Sequence, residues 1–196
     1  MENIHPIFDS SLHTKDKEEL LNQTGLVIWM VGLSGSGKST LAKGLENRLH
    51  ELGHLTMLLD GDNLRTGINN NLGFTDDDRS ENIRRAAEVA KLFAYNGIIT
   101  ICSFISPTEV IRNEAKKIIG DKYCEVFVNC PIEICEQRDV KGLYAKVRNG
   151  EIKNFTGIDS PFERPMHPSI EVHTNTMSLD ESLELLLNEI KSKIKL

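Results

Sequence analysis

Residues 32–39 read GLSGSGKS, which matches G-x-x-x-x-G-K-[S/T] at every fixed position. An apolar run precedes them and a helical pattern follows, the setting in which such a loop wraps phosphate groups. Glycines let successive backbone N–H groups converge on an anion. The helix N-terminus behind the loop adds partial positive charge. Lys38 would then reach the β- and γ-phosphates of a nucleoside triphosphate, and Ser39 would ligate Mg²⁺. The candidate nucleotide-binding set is Gly32, Leu33, Ser34, Gly35, Ser36, Gly37, Lys38, Ser39 and Thr40. The dinucleotide fingerprint G-x-G-x-x-G/A fits less well, because Thr40 stands where its final Gly or Ala belongs.

The next apolar run ends in LLDGDN, residues 58–63. In an extended chain Asp60 and Asp62 fall on the same side. One carboxylate there could hold the metal's shell, and the other could take a proton from an attacking hydroxyl. An ordinary Asp-Gly turn is the plainer alternative. This second strand offers DGDN rather than D-x-x-G, and no N-K-x-D appears, so a hydroxyl-bearing acceptor suits better than a GTPase switch. Arg65 follows, then GFTDDDRSENIRR at residues 73–85. Arg79 and Asn82 are three apart, neighbours on one helix face. A guanidinium fork matches phosphate or sulfate oxygens. Asn82 could read a base edge, and Phe74, just before the helix, could stack on a ring. Singly, Arg79 could be a surface charge among the aspartates and Phe74 a core residue. Together, downstream of a phosphate loop, they read as a second nucleotide-like site.

These residues need a scaffold that gathers them. Short apolar runs at 26–31, 55–59, 98–103, 125–128 and, more weakly, 170–173 read as buried strands. Helical patterns lie between them, at 38–52, 76–95, 107–119 and 131–138. Thr75 is the expected N-cap of the second, and Ile83, Ala86, Ala87, Ala90 and Phe93 form its buried stripe. Pro107 would open the third as its first residue behind Ser106, and Pro131 would open the fourth. SLDE at 178–181 is a capping box, and Leu179, Leu183, Leu186, Leu187 and Ile190 supply the last helix's stripe. Alternation of this kind predicts an α/β three-layer sandwich: a five-stranded parallel sheet with helices on both faces. Ligands in such sheets bind beyond the strands' carboxyl ends. Residues 1–24 read as a polar arm with a short helix at 15–22, and 25–196 as the domain. The stretch 141–168 is poor in apolar residues and long for a connection, which suggests a lid.

The 196 residues suit one domain of roughly 100–200 residues. A net charge of −6 argues against a nucleic-acid partner. The longest apolar run, LVIWMVGL, is too short for a membrane span, and no secretory leader is evident, so the expectation is a soluble cytoplasmic protein with no membrane partner. Cys102, Cys124, Cys130 and Cys135 form no C-x-x-C pair and read as reduced thiols. HELGH at 50–54 matches a zinc-protease pattern, but Gly53 should end the helix before the second histidine.

GLSGSGKST, LLDGDNLR, LGFTDDDRSENIRR, SFISPT and KGLYAKVRNGEIKNFTGIDSPFE, in this order, resemble the adenylylsulfate kinase family over roughly residues 25–190. DGDN and NFTGIDSP separate that family from gluconate, shikimate and nucleoside monophosphate kinases. The resemblance implies an ATP- and Mg²⁺-dependent enzyme that phosphorylates the ribose 3′-hydroxyl of adenosine 5′-phosphosulfate (APS). It implies that Phe74 and Phe155 sandwich the acceptor's adenine, and that Arg65, Arg79 and Asn82 hold its sugar, phosphate and sulfate. Ile105, Ser106, Lys141 and Leu143 join the implied acceptor set, with Lys141 and Phe155 on the lid. Asp62 matches the family's proposed general base, with Asp60 near the metal beside Ser39. Ser106 matches a serine assigned as a phosphorylated intermediate in parts of the family; direct in-line transfer suits phosphoryl chemistry better, and Ser106 could instead cap the helix after it. Arg138 would lie against the adenine of ATP. A homodimer and coupling to a separate ATP sulfurylase are also implied. The sequence departs from the family at Val140, where proline is common, at ERPMHPSIEVH, and in the arm, which lacks the usual arginines. The alternatives are another small-molecule P-loop kinase, or a non-catalytic nucleotide sensor that could have dispensed with Lys38, Ser39 and Asp62.

Overall fold

A computed structural model describes His5, Ile7 and residues 10–195. Of the arm and domain bounds expected from the sequence, residues 1–4, 6, 8, 9 and 196 lie outside the described ones. The chain runs α1 (Thr14–Leu21), β1 (Val27–Val31), α2 (Lys38–Glu51), β2 (Thr56–Asp60), α3 (Gly61–Arg65), α4 (Asp76–Ala94) and β3 (Ile99–Ser103). It continues through α5 (Glu109–Ile119), β4 (Tyr123–Asn129), α6 (Ile132–Arg138), α7 (Leu143–Arg148), β5 (Ile170–His173) and α8 (Leu179–Ile194).

The five strands form one parallel sheet in the order β2-β3-β1-β4-β5. Strands β1 and β3 are buried along their whole length, as continuous apolar runs between two helical layers must be. Alternate residues of β1 serve opposite faces. Ile28 and Met30 pack with Leu41, Leu45, Leu183 and Leu186 of α2 and α8. Val27, Trp29 and Val31 pack with Ile83, Ala86, Ala90 and Ala115 of α4 and α5. The alanines of α4 allow that helix to sit close to the sheet. This is the three-layer α/β sandwich that the alternating pattern predicts.

Helix ends follow local chemistry. Thr75 caps α4, its Oγ1 accepting from the Asp78 N–H at 3.2 Å. The capping box at the start of α8 is formed between Ser178 and Glu181. Leu179, expected in the buried stripe, is exposed at the first turn of α8. Helix α2 ends before Gly53, which takes a left-handed φ of 85°. His50 and His54 therefore do not share a helix, and no group of three metal-ligating side chains occurs among the described residues. All four cysteines are buried free thiols. No helix among the described residues is long and apolar enough to cross a membrane.

Four further local expectations fail. The chain does not stay extended after Asp60; it turns at once into α3. Helix α5 starts at Glu109 with Thr108 as N-cap, so Ser106 is not a cap. Ser106 adopts a left-handed φ of 45°, with its side chain and carbonyl held by Trp29 and Arg112. Pro131 is the N-cap of α6 rather than its first helical residue. Residues 143–148 form the unexpected helix α7, whose first N–H groups are taken up by Asp139: its carboxylate accepts from Tyr144 and Ala145, both at 3.0 Å.

Candidate active site

The strand register brings three carboxyl ends level: Met30 and Asp60 both pair with Ser103. Loop 32–37 leaves β1 at this edge and enters α2 through Gly37, with φ 99°. Gly35 has φ 75°, and a Cβ there would meet the Cys135 carbonyl oxygen at 2.8 Å, so only glycine fits. The loop's carbonyls are each tied from outside. Lys38 Nζ donates to Gly32 O at 2.8 Å and to Leu33 O at 2.7 Å. The Tyr144 hydroxyl donates to Ser34 O at 2.9 Å. Arg138 Nη1 donates to Gly35 O at 3.4 Å, and Thr174 Oγ1 to Ser36 O at 2.7 Å. Burial pushes the Lys38 ammonium down from 10.5 to about 8.

Ser39 Oγ donates to Asp60 Oδ2 at 2.8 Å and lies 3.3 Å from Ser103 Oγ. The other Asp60 oxygen accepts from the Asp62 N–H at 3.0 Å and caps α3. Asp60 is thereby fixed from two sides, with hydroxyl and carboxylate oxygens gathered beside the loop. Because α3 begins here, Asp62 is not aligned with Asp60 on an extended strand. It leans toward the 141–168 segment, where its carboxylate pairs with Lys141 Nζ.

A second cluster forms around Arg65, which feels the Asp62 charge. Arg65 Nη1 donates to Gly73 O at 2.7 Å and to Leu72 O at 3.2 Å, and its guanidinium lies 4.4 Å from the centre of the Phe74 ring. Phe74 is 66 % exposed, so it is not a core residue. Arg79 donates through Nε to Phe74 O at 3.1 Å and through Nη1 to Thr156 Oγ1 at 2.6 Å; Nη2 bonds Asn154 O. Burial first, then the Arg79 charge, lowers the Arg65 pKa from its ordinary value. Asn82 is buried, and its Oδ1 accepts from Asn69 Nδ2 at 3.0 Å. The Phe155 ring meets Tyr144 edge-on with centroids 5.0 Å apart, so the two expected stacking rings rest on different partners, Arg65 and Tyr144.

Of the remaining sequence-predicted residues, Ile105 accepts the Gly32 N–H at 3.4 Å. Ser106 is 1 % exposed; its Oγ accepts from Trp29 Nε1 at 3.1 Å and its carbonyl from Arg112 Nη1 at 3.1 Å. Arg138 also donates to Thr174 O at 2.6 Å. Leu143 opens α7, and Thr40 is exposed on the first turn of α2. A cleft of about 470 Å³ opens between Leu33, Ile132 and the turn 157–162, and it is not lined by Arg65, Phe74 or Arg79.

Sequence reasoning missed Ser103, Thr174, Tyr144 and Asn69. Ser103 ends β3 and Thr174 directly follows β5, so the rule about strand carboxyl ends could have found both. Tyr144 and Asn69 carried no local signal.

The profile of the adenylylsulphate kinase family matches residues 24–173. The chain is 59 % identical over 193 residues to an adenylyl-sulfate kinase of Bacteroides fragilis, covering 98 % of this chain and 96 % of that one. It is 54 % identical over 183 residues to an adenylyl-sulfate kinase of Clostridium acetobutylicum, covering 93 % of this chain and 92 % of that one. Among solved structures it is similar to the Mycobacterium tuberculosis APS kinase CysC in complex with AMPPNP and APS. That match has 44 % identity and a TM-score of 0.83, over 86 % of this chain and 98 % of that one. With the phosphate loop and Asp60 gathered at the carboxyl edge of the sheet, the chain belongs to the adenylylsulphate kinase family.

Proposed function

We propose that the protein transfers the γ-phosphoryl group of ATP to the ribose 3′-hydroxyl of APS, giving 3′-phosphoadenosine 5′-phosphosulfate and ADP. The observation that carries this reading is the meeting of two sites. The phosphate loop holds Lys38 and Ser39, with Asp60 bonded to Ser39; Arg65, Phe74 and Arg79 carry the chemistry of an anionic nucleotide site; and the Asp62 charge acts on both Lys38 and Arg65.

In this reading the loop's N–H groups and Lys38 bind the triphosphate, and Arg138 borders the ATP base. Ser39 and Asp60 are hard oxygen donors already gathered together, a set that suits Mg²⁺ and would hold it. Bound there, the ion would neutralise charge on the phosphates. Phe74 and Phe155 hold the APS adenine. Arg65, Arg79 and Asn82 hold its sugar and anionic groups, with Ile105, Ser106 and Leu143 bordering them. Segment 141–168 acts as a lid, which Arg79 fastens through Asn154 and Thr156 and Lys141 fastens through Asp62.

Transfer is direct. The 3′-oxygen forms a bond to the γ-phosphorus as the bond from that phosphorus to the β-bridging oxygen breaks, and ADP leaves with the electron pair. The 3′-hydroxyl proton goes to the Asp62 carboxylate. Lys38 donates to the phosphoryl oxygens as charge moves among them. Ser106 forms no covalent intermediate; it is buried, and its Oγ is held by Trp29.

The test offers the purified protein labelled ATP, Mg²⁺ and a panel of hydroxyl acceptors: APS, adenosine 5′-phosphate, gluconate and shikimate. Label transfer to APS alone is expected. Transfer to one of the others at a comparable rate would contradict the assignment.

A further inference from the structure

Tyr144 joins the two halves of the site. It is 1 % exposed, and its hydroxyl donates to Ser34 O at the middle of the phosphate loop. Its ring lies 5.0 Å from the Phe155 ring at 74°, an edge-to-face contact. Of the side chains that tie the loop's carbonyls at Gly32, Leu33, Ser34, Gly35 and Ser36, Lys38 belongs to α2, Arg138 to α6 and Thr174 follows β5. Tyr144 alone among them comes from the 141–168 segment, which also carries Phe155. Helix α7 holds it firmly, because the Asp139 carboxylate accepts its N–H at 3.0 Å and Asp139 directly follows Arg138. A buried ring with one polar atom cannot move at one end without shifting the contact at the other.

We infer that Tyr144 is a positioning residue that couples occupancy of the phosphate loop to the placement of the acceptor-stacking ring Phe155. This rests on the reading of the protein as an APS kinase. A triphosphate that settles onto the loop's N–H groups fixes the Ser34 peptide. Tyr144 then transmits that fixed position to Phe155 and pre-organises the face on which the adenine stacks. The consequence is reciprocal: bound APS changes nucleotide affinity by the same factor.

The experiment measures APS binding by calorimetry with and without saturating AMPPNP and Mg²⁺. It uses the wild type, Tyr144→Phe, which keeps the ring and loses the hydroxyl, and Phe155→Leu, which keeps the Ser34 contact and loses the ring edge. In the wild type, AMPPNP should change APS affinity by roughly fivefold or more, the lower range of typical coupling. Both variants should bring that ratio close to one. A merely structural Tyr144 would lower thermal stability and leave the ratio unchanged. A wild-type ratio of one, or a Tyr144→Phe ratio equal to a larger wild-type value, overturns the inference. A wild type that binds no APS in either condition instead overturns the functional reading beneath it.

Discussion

Lys38 gives the sharpest physical prediction. Its ammonium is buried among the carbonyls of Gly32 and Leu33, and burial lowers its pKa from 10.5 to about 8. Between those pH values the unfolded chain keeps the proton and the folded protein has lost it. Stability must therefore rise with pH through this window, since the unfolded state binds more protons. Below pH 8 the full penalty of holding a charged Lys38 is present; above 10.5 it has gone. At about 1.36 kcal/mol per pH unit, the span corresponds to about 3 kcal/mol. Other groups also titrate there, so the measurement is a difference. Urea unfolding of the wild type and of Lys38→Met at intervals from pH 7.5 to 10.5 cancels the shared groups. Loss of the hydrogen bonds that Lys38 donates to Gly32, Leu33 and Ser36 adds an offset that does not depend on pH. Cys135, pushed up to about 12 by its own burial, stays neutral through the window. The wild type should gain on the variant by about 3 kcal/mol across the range. A flat difference would refute the claim that the loop holds its lysine at a cost. The same variant should lose nearly all turnover, because it removes the donor to the transferring phosphoryl group.

Three further outcomes follow from the site. Asp62→Asn should lower kcat by roughly 10²–10⁴-fold, as removal of a general base does, and should weaken APS binding less than it slows turnover, through loss of the Lys141 pair; wild-type turnover would remove Asp62 from the role of base. Phe155→Ala should weaken APS binding by about 1–3 kcal/mol, the range for loss of an aromatic stacking partner, and calorimetry showing unchanged affinity would take Phe155 out of the acceptor pocket. Ser106→Ala should keep turning over while losing about 1–3 kcal/mol of stability, because the buried Trp29 indole N–H is left unpaired. Mass spectrometry after incubation with ATP alone should find no phosphoserine at position 106, and a stoichiometric phosphoserine would contradict direct transfer.

What the sequence could convey was set by the range of each signal. Apolar runs and helical stripes repeat over many residues, so the five strands, α2, α4 and α8 were legible to within a few positions. The phosphate loop was legible because its spacing is itself the chemistry. Helices α3 and α7 were not, since five and six residues are too few to show a period. Ser106 is held by Trp29, 77 residues away in sequence, and by Arg112 on the following helix, contacts that its local sequence does not announce. Pairing of Asp62 with Lys141 and the bridge from Ser34 through Tyr144 to Phe155 are likewise tertiary facts without a local signature.

The most direct test of the account is the position of the new phosphate in the product. Phosphorus NMR and mass spectrometry of a single-turnover reaction with ATP, Mg²⁺ and APS should show one added phosphoryl group on the ribose 3′-oxygen, with the sulfate intact. Phosphate released to water, or placed on any other oxygen of APS, would contradict it.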